Sequence, residues 1–346
     1  MYTIRFARLS VVLLVLGLAG CGTLRTDDGS PSGTPSLHES HPLVFELGSY
    51  DFDSAVPLVE RIEPMPDFVI TYLEDVDARA YSRYTPNVEE LALIDSYFKE
   101  LPPRIARVMQ NRVVGIYFME EDFIGGGMTQ FVLSEQGDPY VILIFNARTL
   151  HLSLSEWITY RENTAFRRTT ATERDSNVVI RAECGSTYRG FMHILLHEGT
   201  HVVDLVDGVT PYLQASLEPY GWRGERADDS FTRGVWRSFA RPKHRYDFFH
   251  RRRITFYGLY DGPHLDAARA ARVYRDLANT PFVSLYAATS ATEDLAELVT
   301  WYHLVEHLGQ DNRIIIEAGK TELRDIEFMP DPSTAERRRI IESFYR

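Results

Sequence analysis

An α+β fold is predicted from three observations. Strand-like runs gather in the first half of the chain, a long apolar helix without proline occupies 190–207, and helical periodicity dominates the residues C-terminal to it. That order fits a small mixed sheet covering the central helix, with a mainly helical C-terminal part. At 346 residues, 44% hydrophobic and 25% charged, the chain can bury a sizeable core and has ordinary globular composition.

The N-terminus reads as a targeting segment. Arg5 and Arg8 precede an apolar run, Leu9 to Gly20, that is too short to span a bilayer as a helix. The run ends in Leu18-Ala19-Gly20-Cys21, which resembles the lipobox of bacterial lipoprotein signals. The resemblance implies removal of residues 1–20 and lipidation of Cys21. Because Gly22 rather than Asp comes next, it also implies a lipid-anchored protein of the cell envelope, at the outer membrane of a Gram-negative cell. Residues 21–42, rich in Gly, Ser, Thr, Pro and Asp, read as a flexible tether. The remainder, 43–346, is expected to form one domain with an N-terminal α/β lobe (43–208) and a helical C-terminal lobe (209–346). It holds no segment apolar enough to cross a membrane.

Asn87 to Lys99 is predicted helical, with Asn87 as cap, Glu90 three residues on, and Leu91, Ile94 and Phe98 at helical spacing. Pro102-Pro103 ends it or starts the next helix. Strands are predicted at 112–119, 129–134 and 139–146, with Gly137-Asp138 as a hairpin turn between the last two. Gly125-Gly126-Gly127 is a loop, and it lacks the Gly-Lys-Ser/Thr of a phosphate loop. Ser155 to Phe166 is predicted helical and Val178-Val179-Ile180 a short strand. Ala267 to Leu277 and Glu293 to Leu308 are helical, and Ser333 with Glu336 forms a capping box for a last helix.

Net charge is −12, which argues against nucleic acid as a partner. The basic stretch 233–253 (Arg233, Arg237, Arg241, Lys243, Arg245, Arg251, Arg252, Arg253) departs from this average, as a solvated insertion or as a docking patch for an anionic surface. With Cys21 lipidated, Cys184 has no partner for a disulfide, and two cysteines exclude a four-cysteine zinc site.

The most informative motif is His197-Glu198-Gly199-Thr200-His201, an H-E-x-x-H. On a helix, residues four apart share a face, so both imidazoles can reach one metal ion, with Glu198 placed to take a proton from an attacking water. Phe191 to Leu196 before it, and Val202, Val203, Leu205 and Val206 after it, give the helix the all-round apolar character of a buried element. A di-iron reading needs a second E-x-x-H beside Glu198–His201, and the chain has none. His193, His303 and His307 are assigned no metal.

A third ligand must come from elsewhere. Asp207 completes H-E-x-x-H-x-x-D-x-x-D, but Asp204 stands where the metzincin pattern needs a turning Gly, so the helix is expected to continue. The alternative is Thr292-Glu293-Asp294-Leu295-Ala296-Glu297, an E-x-x-A-E in which Glu293 and Glu297 share a helix face. With H-E-x-x-H, this resembles the gluzincin metallopeptidases and is especially similar to their anthrax-lethal-factor-like branch. The resemblance implies a zincin-like metallopeptidase domain with one Zn2+ per chain, bound by His197, His201 and Glu293. Glu297 would then support His197, and Tyr286, seven residues before Glu293, would stabilise the transition state. The spacer between His201 and Glu293 is long for the pattern.

These residues imply zinc-dependent hydrolysis of peptide bonds in a peptide or protein substrate, with Glu198 as general base. The strand 139–146 is the expected edge for an extended peptide, and the membrane contact is made through the N-terminal lipid. The alternative is a non-catalytic zinc-binding envelope lipoprotein that acts as a binding or structural module.

Overall fold

The computed structural model describes residues 37–168 and 178–346; the expected leader, Cys21 and most of the expected tether lie outside them. The chain is packed from Leu37 onward. The His38 ring lies 4.8 Å from Phe45 and 4.9 Å from Tyr220, and Leu37 rests on the core. The tether expected to run to residue 42 therefore ends earlier.

The architecture is mixed α+β. Helix α1 (Asp67–Asp77) precedes the short strand β1 (Arg83–Tyr84). Helix α2 (Val88–Phe98) is capped by Asn87, whose side chain accepts from Glu89 N and Glu90 N while Glu90 reaches back to Asn87 N, a complete capping box. Pro103 occupies the first turn of α3 (Pro103–Arg112), where its missing N–H costs nothing. The chain then enters β2 (Val113–Met119), followed by β3 (Gly127–Leu133) and β4 (Pro139–Asn146). Gly137 turns the β3–β4 hairpin with φ 84°.

These strands form a sheet in the order β1-β2-β4-β3, with β2 and β4 parallel and the other pairs antiparallel. Uniform burial of β2, and near-uniform burial of β4, results from pairing inside a covered sheet. The strand 139–146 is therefore central, not an edge. Among the described residues β3 lies at the end of the sheet, bridged on its outer side at Leu133 by Glu46; Thr129 to Leu133 are buried, and only Gly127 and Met128 at its start are partly exposed.

Next come helix α4 (Leu154–Thr164), with Ser153 as a capping-box residue, and β5 (Val178–Glu183). Helix α5 (Gly190–Asp207) carries the H-E-x-x-H motif, and all but its last two residues are buried. It packs against α3, α4, β3 and β4. The spacer after it is largely irregular up to α6 (Ala270–Leu277). Helix α7 (Ala291–Tyr302) lies across α5 and continues into a π-helical turn at His303–His307.

The C-terminal part is less helical than expected. Strands β6 (Arg313–Ala318) and β7 (Thr321–Glu327) form a hairpin, and β6 pairs antiparallel with β5 in a second sheet ordered β7-β6-β5. The last helix, α8 (Ala335–Glu342), is capped by Thr334 accepting from Arg337 N. The cap therefore sits one residue beyond Ser333, which takes the left-handed conformation at φ 63°. No helix among the described residues is long and apolar enough to cross a membrane.

Within the basic stretch, Arg233 pairs with Asp229, and Arg251 and Arg252 both pair with Asp247. Arg251 is buried and structural rather than part of a surface patch.

Candidate metal centre

The centre lies where α5 and α7 cross. His197 and His201 project from one face of α5, and the N-terminal turn of α7 brings Glu293 to them. Ser290 caps α7, its hydroxyl accepting from Glu293 N at 3.3 Å. His197 Nε2 and Glu293 Oε2 are 3.0 Å apart, His201 Nε2 and Glu293 Oε2 3.4 Å, and the two Nε2 atoms 3.2 Å. Three donors held about 2.0–2.2 Å from one tetrahedral ion stand roughly 3.4 Å apart, so these spacings match an ion-binding set. His197, His201 and Glu293 form a buried group that could hold a metal ion.

Proton placement points the same way. His197 Nδ1 lies 3.0 Å from Glu297 Oε1, and a carboxylate only accepts, so the proton sits on Nδ1. In the neutral ring, Nε2 then presents a lone pair to Glu293 Oε2, which itself accepts no well-aligned hydrogen bond. Two acceptors facing each other at a buried contact favour a cation beside them. Left to the protein's own groups, the site takes a proton instead. Burial lowers the His197 pKa, but hydrogen bonds to Glu293 and Glu297 overcome this and raise it to about 10. Burial likewise opposes ionisation of Glu293, yet His201 and His197 hold it down at about 2.

Glu297 is the hub beneath the ligands. Its Oε1 accepts from His197 Nδ1 and from Arg161 Nη1 at 2.9 Å, and its Oε2 accepts from Ser284 Oγ at 2.6 Å and Trp301 Nε1 at 3.3 Å. Burial works against the charge, but Arg161 and His193 keep the carboxyl well below its usual range. Arg161 is in turn held by Glu162 (Nη2 to Oε1, 2.9 Å), and Glu162 accepts from the Tyr274 hydroxyl. Support of this kind fixes the tautomer and orientation of a ligand imidazole.

Glu198 sits beside the ligands and accepts from Thr129 Oγ1 at 2.8 Å, so strand β3 aims it. The strand approaches α5 this closely because of the glycines. A Cβ on Gly127 would meet Ile194 Cγ2 at 2.7 Å and Glu198 Cγ at 3.1 Å; one on Gly126 would meet Ile194 and Trp157, both at 2.6 Å. The cleft beside them, about 50 Å³, is lined among others by Gly127, Thr129, His197, Glu198, Tyr257 and Tyr286.

The Tyr286 ring lies 5.6 Å from the His197 ring and 5.0 Å from Phe256, with Arg161 Cζ 5.5 Å from its centroid. Burial, reinforced by Glu293, raises the Tyr286 pKa well above the ordinary phenol range, so its hydroxyl remains a donor.

Asp207 is outside the centre. It ends α5 and pairs with Arg104 at 2.9 Å. Asp204 continues the helix and receives the chain after Gly208, accepting from Val209 N at 2.9 Å and from the Thr210 hydroxyl at 2.8 Å. His303 lies away from the ligands, against Glu100 and Tyr345. His193, fully buried, lines the cleft, with Nε2 3.4 Å from Glu297 Oε1; burial pushes its pKa down to about 4.

Sequence reasoning missed Thr129, Arg161, Ser284, Trp301 and Tyr257. The one local signal for them was the Arg161-Glu162 pair in a helix that also carries Trp157 and Ile158 toward the core. No family model, no curated protein and no solved structure matches this chain, so what the centre can do rests on its own geometry.

Proposed function

We propose that this protein is a zinc-dependent peptidase, lipid-anchored at the cell envelope through Cys21. The observation that carries the reading is a buried His197–His201–Glu293 triad with Glu198 beside it and an open cleft in front. Two imidazoles and a carboxylate favour zinc, and three protein ligands leave a fourth position free. A bound zinc would lower the pKa of its water toward about 7 and polarise the scissile carbonyl.

The chain's own groups would do the rest. Glu198, aimed by Thr129, accepts the proton of the attacking water and delivers it to the leaving amine. Tyr286 donates a hydrogen bond to the oxygen of the tetrahedral intermediate, a contribution of roughly 3 kcal/mol for a well-placed donor. Glu297, kept ionised by Arg161, holds His197 with its Nε2 lone pair toward the ion. An extended peptide could pair with the start of β3, at Gly127 and Met128, where the strand lines the cleft.

Metal analysis and a peptide-cleavage assay on wild type, Glu198→Gln and Glu293→Ala test the reading. Wild type is expected to hold about one zinc per chain and to cleave. Glu198→Gln should keep its zinc and lose at least about 100-fold in kcat, the scale of a general base. Glu293→Ala should lose the zinc. Zinc retained by Glu293→Ala removes it as a ligand, and full activity in Glu198→Gln removes the mechanism. Zinc binding without any cleavage would favour a binding module.

A further inference from the structure

A second cavity, of about 140 Å³, adjoins the cleft and shares Leu259, Tyr286 and Glu293 with it. Its walls are apolar and aromatic: Phe239, Ile254, Phe256, Leu259 and Tyr260. All five come from the long spacer between α5 and α7, which also supplies Ser284 and Tyr286 to the centre.

The cavity is a built feature. Buried Arg251 ties the spacer to the segment leading into α7, donating from Nη1 to Ala288 O at 2.9 Å and from Nη2 to Ala240 O at 3.0 Å. Its Nε is held by Asp247 at 2.8 Å. The turn that presents Leu259 to both cavities is strained, with φ 58° at Tyr257, 76° at Gly258, 55° at Tyr260 and 60° at Asp261. Left-handed backbone costs a non-glycine residue about 1–2 kcal/mol. Such conformations persist where the surrounding packing over-determines them, and they cluster at functional sites.

We infer that this cavity receives one side chain of the substrate, and that the protein, if it is the peptidase proposed, cleaves peptide bonds flanked by a large apolar residue of leucine, methionine or phenylalanine size. The cavity's volume is close to that of an apolar cavity of about 150 Å³ that holds a benzene ring. Most of its polar groups are engaged: Ser290 caps α7, Thr289 donates to Tyr286 O at 2.7 Å, and Glu293 belongs to the metal triad, while the buried Thr255 hydroxyl in the wall has no hydrogen-bond partner. No unpaired charge lines it, so a charged side chain would be desolvated without a partner, and a small one would leave it unfilled.

The test uses full-length protein, zinc-supplemented, on a mixture of random decapeptides, with the residues flanking each cut read by mass spectrometry. Wild type, Glu198→Gln, Ala240→Phe and Tyr260→Ala are compared, with zinc content and circular dichroism confirming that each is folded. Wild type is expected to cut beside Leu, Met or Phe about 10–100-fold more often than beside Ala, Asp or Lys, the discrimination an apolar pocket gives. Ala240→Phe, which fills the cavity, should erase most of that preference. Tyr260→Ala, which widens its mouth, should shift the preference toward Trp and serves if Ala240→Phe does not fold. Glu198-dependent cleavage without the preference, or with the wild-type profile in both pocket variants, overturns the inference and leaves the peptidase standing. Absence of Glu198-dependent cleavage overturns both.

Discussion

Gly127 sets how closely the sheet approaches the metal helix. Its absent side chain lets β3 lie against Ile194 and Glu198, and that approach gives Thr129 its 2.8 Å bond to the Glu198 carboxylate. The atom a Cβ would strike, Ile194 Cγ2, belongs to a β-branched side chain with little rotamer freedom on a helix. Phe145 Cδ1, 3.1 Å from the same position, closes the other direction of escape. Gly127→Ala is therefore expected to destabilise by about 1–3 kcal/mol, the usual penalty for overpacking a core. In the peptidase proposed, it should also reduce activity by misplacing Glu198 while leaving the zinc content of the His197–His201–Glu293 site unchanged. Urea unfolding and metal content check this. An unchanged unfolding midpoint with full activity would show that Ile194 gives way.

At the scale of elements, α7 carries two acidic residues in its first turn with opposite surroundings. Glu293 faces the triad. Asp294, fully buried, meets Arg337 of α8 at 2.8 Å and Trp236 Nε1 at 2.8 Å. Burial raises the Asp294 pKa against the pull of Arg337, so the pair holds only while both partners are present. Arg337→Met strands that carboxylate next to Glu293 and is expected to cost about 3–5 kcal/mol. Adding Asp294→Asn should recover part of the loss, and a double-mutant cycle on unfolding free energy measures how much. No recovery would mean that Arg337 acts through packing alone, for instance on the Phe231 ring 4.4 Å away.

Helices α5 and α7 were legible in the sequence because their chemistry is local. H-E-x-x-H and E-x-x-A-E repeat at the helical period, and α2 was legible in the same way from its local cap, Asn87; Ser290, the cap of α7, was not named. The features that were not legible depend on distant partners. The edge was misassigned to 139–146 because strand order is set by non-local pairing; the even apolarity of that run is the mark of a strand flanked on both sides. Strand β7, Thr-Glu-Leu-Arg-Asp-Ile-Glu, is mostly solvent-exposed and has no apolar face to betray it. Arg161 meets Glu297 across 136 residues, so the neighbouring Glu162 could mark Arg161 as a paired charge but could not name Glu297 as its partner.

At the scale of the molecule, segments from both halves of the chain meet behind the centre, and a histidine joins them. The His303 ring, in the π-helical turn after α7, has Nε2 2.8 Å from the Glu100 carbonyl and Nδ1 3.1 Å from the Tyr345 hydroxyl. A carbonyl only accepts, so Nε2 carries the proton and Nδ1 accepts from Tyr345. Arg104 strengthens the same junction through Asp207 and Ser343, both at 2.9 Å. The arrangement requires a neutral ring. Burial pushes His303 from 6.5 down to about 4, opposed by the Glu100 carbonyl and helped by neighbouring His307. In the unfolded chain the same ring takes a proton near its ordinary value. As pH falls from 6.5 toward 4 the unfolded state therefore binds more protons than the folded one, and stability is lost across that window. For one such group the loss is up to about 3 kcal/mol. His193, depressed in the same direction, adds to it. His303→Gln cannot be protonated, and its amide can still donate to Glu100 O. Its unfolding free energy, titrated from about pH 7 to about pH 4, should fall less steeply than that of wild type while keeping the share due to His193. Parallel curves for the two proteins would show that His303 titrates freely in the folded state and that the junction tolerates its charge.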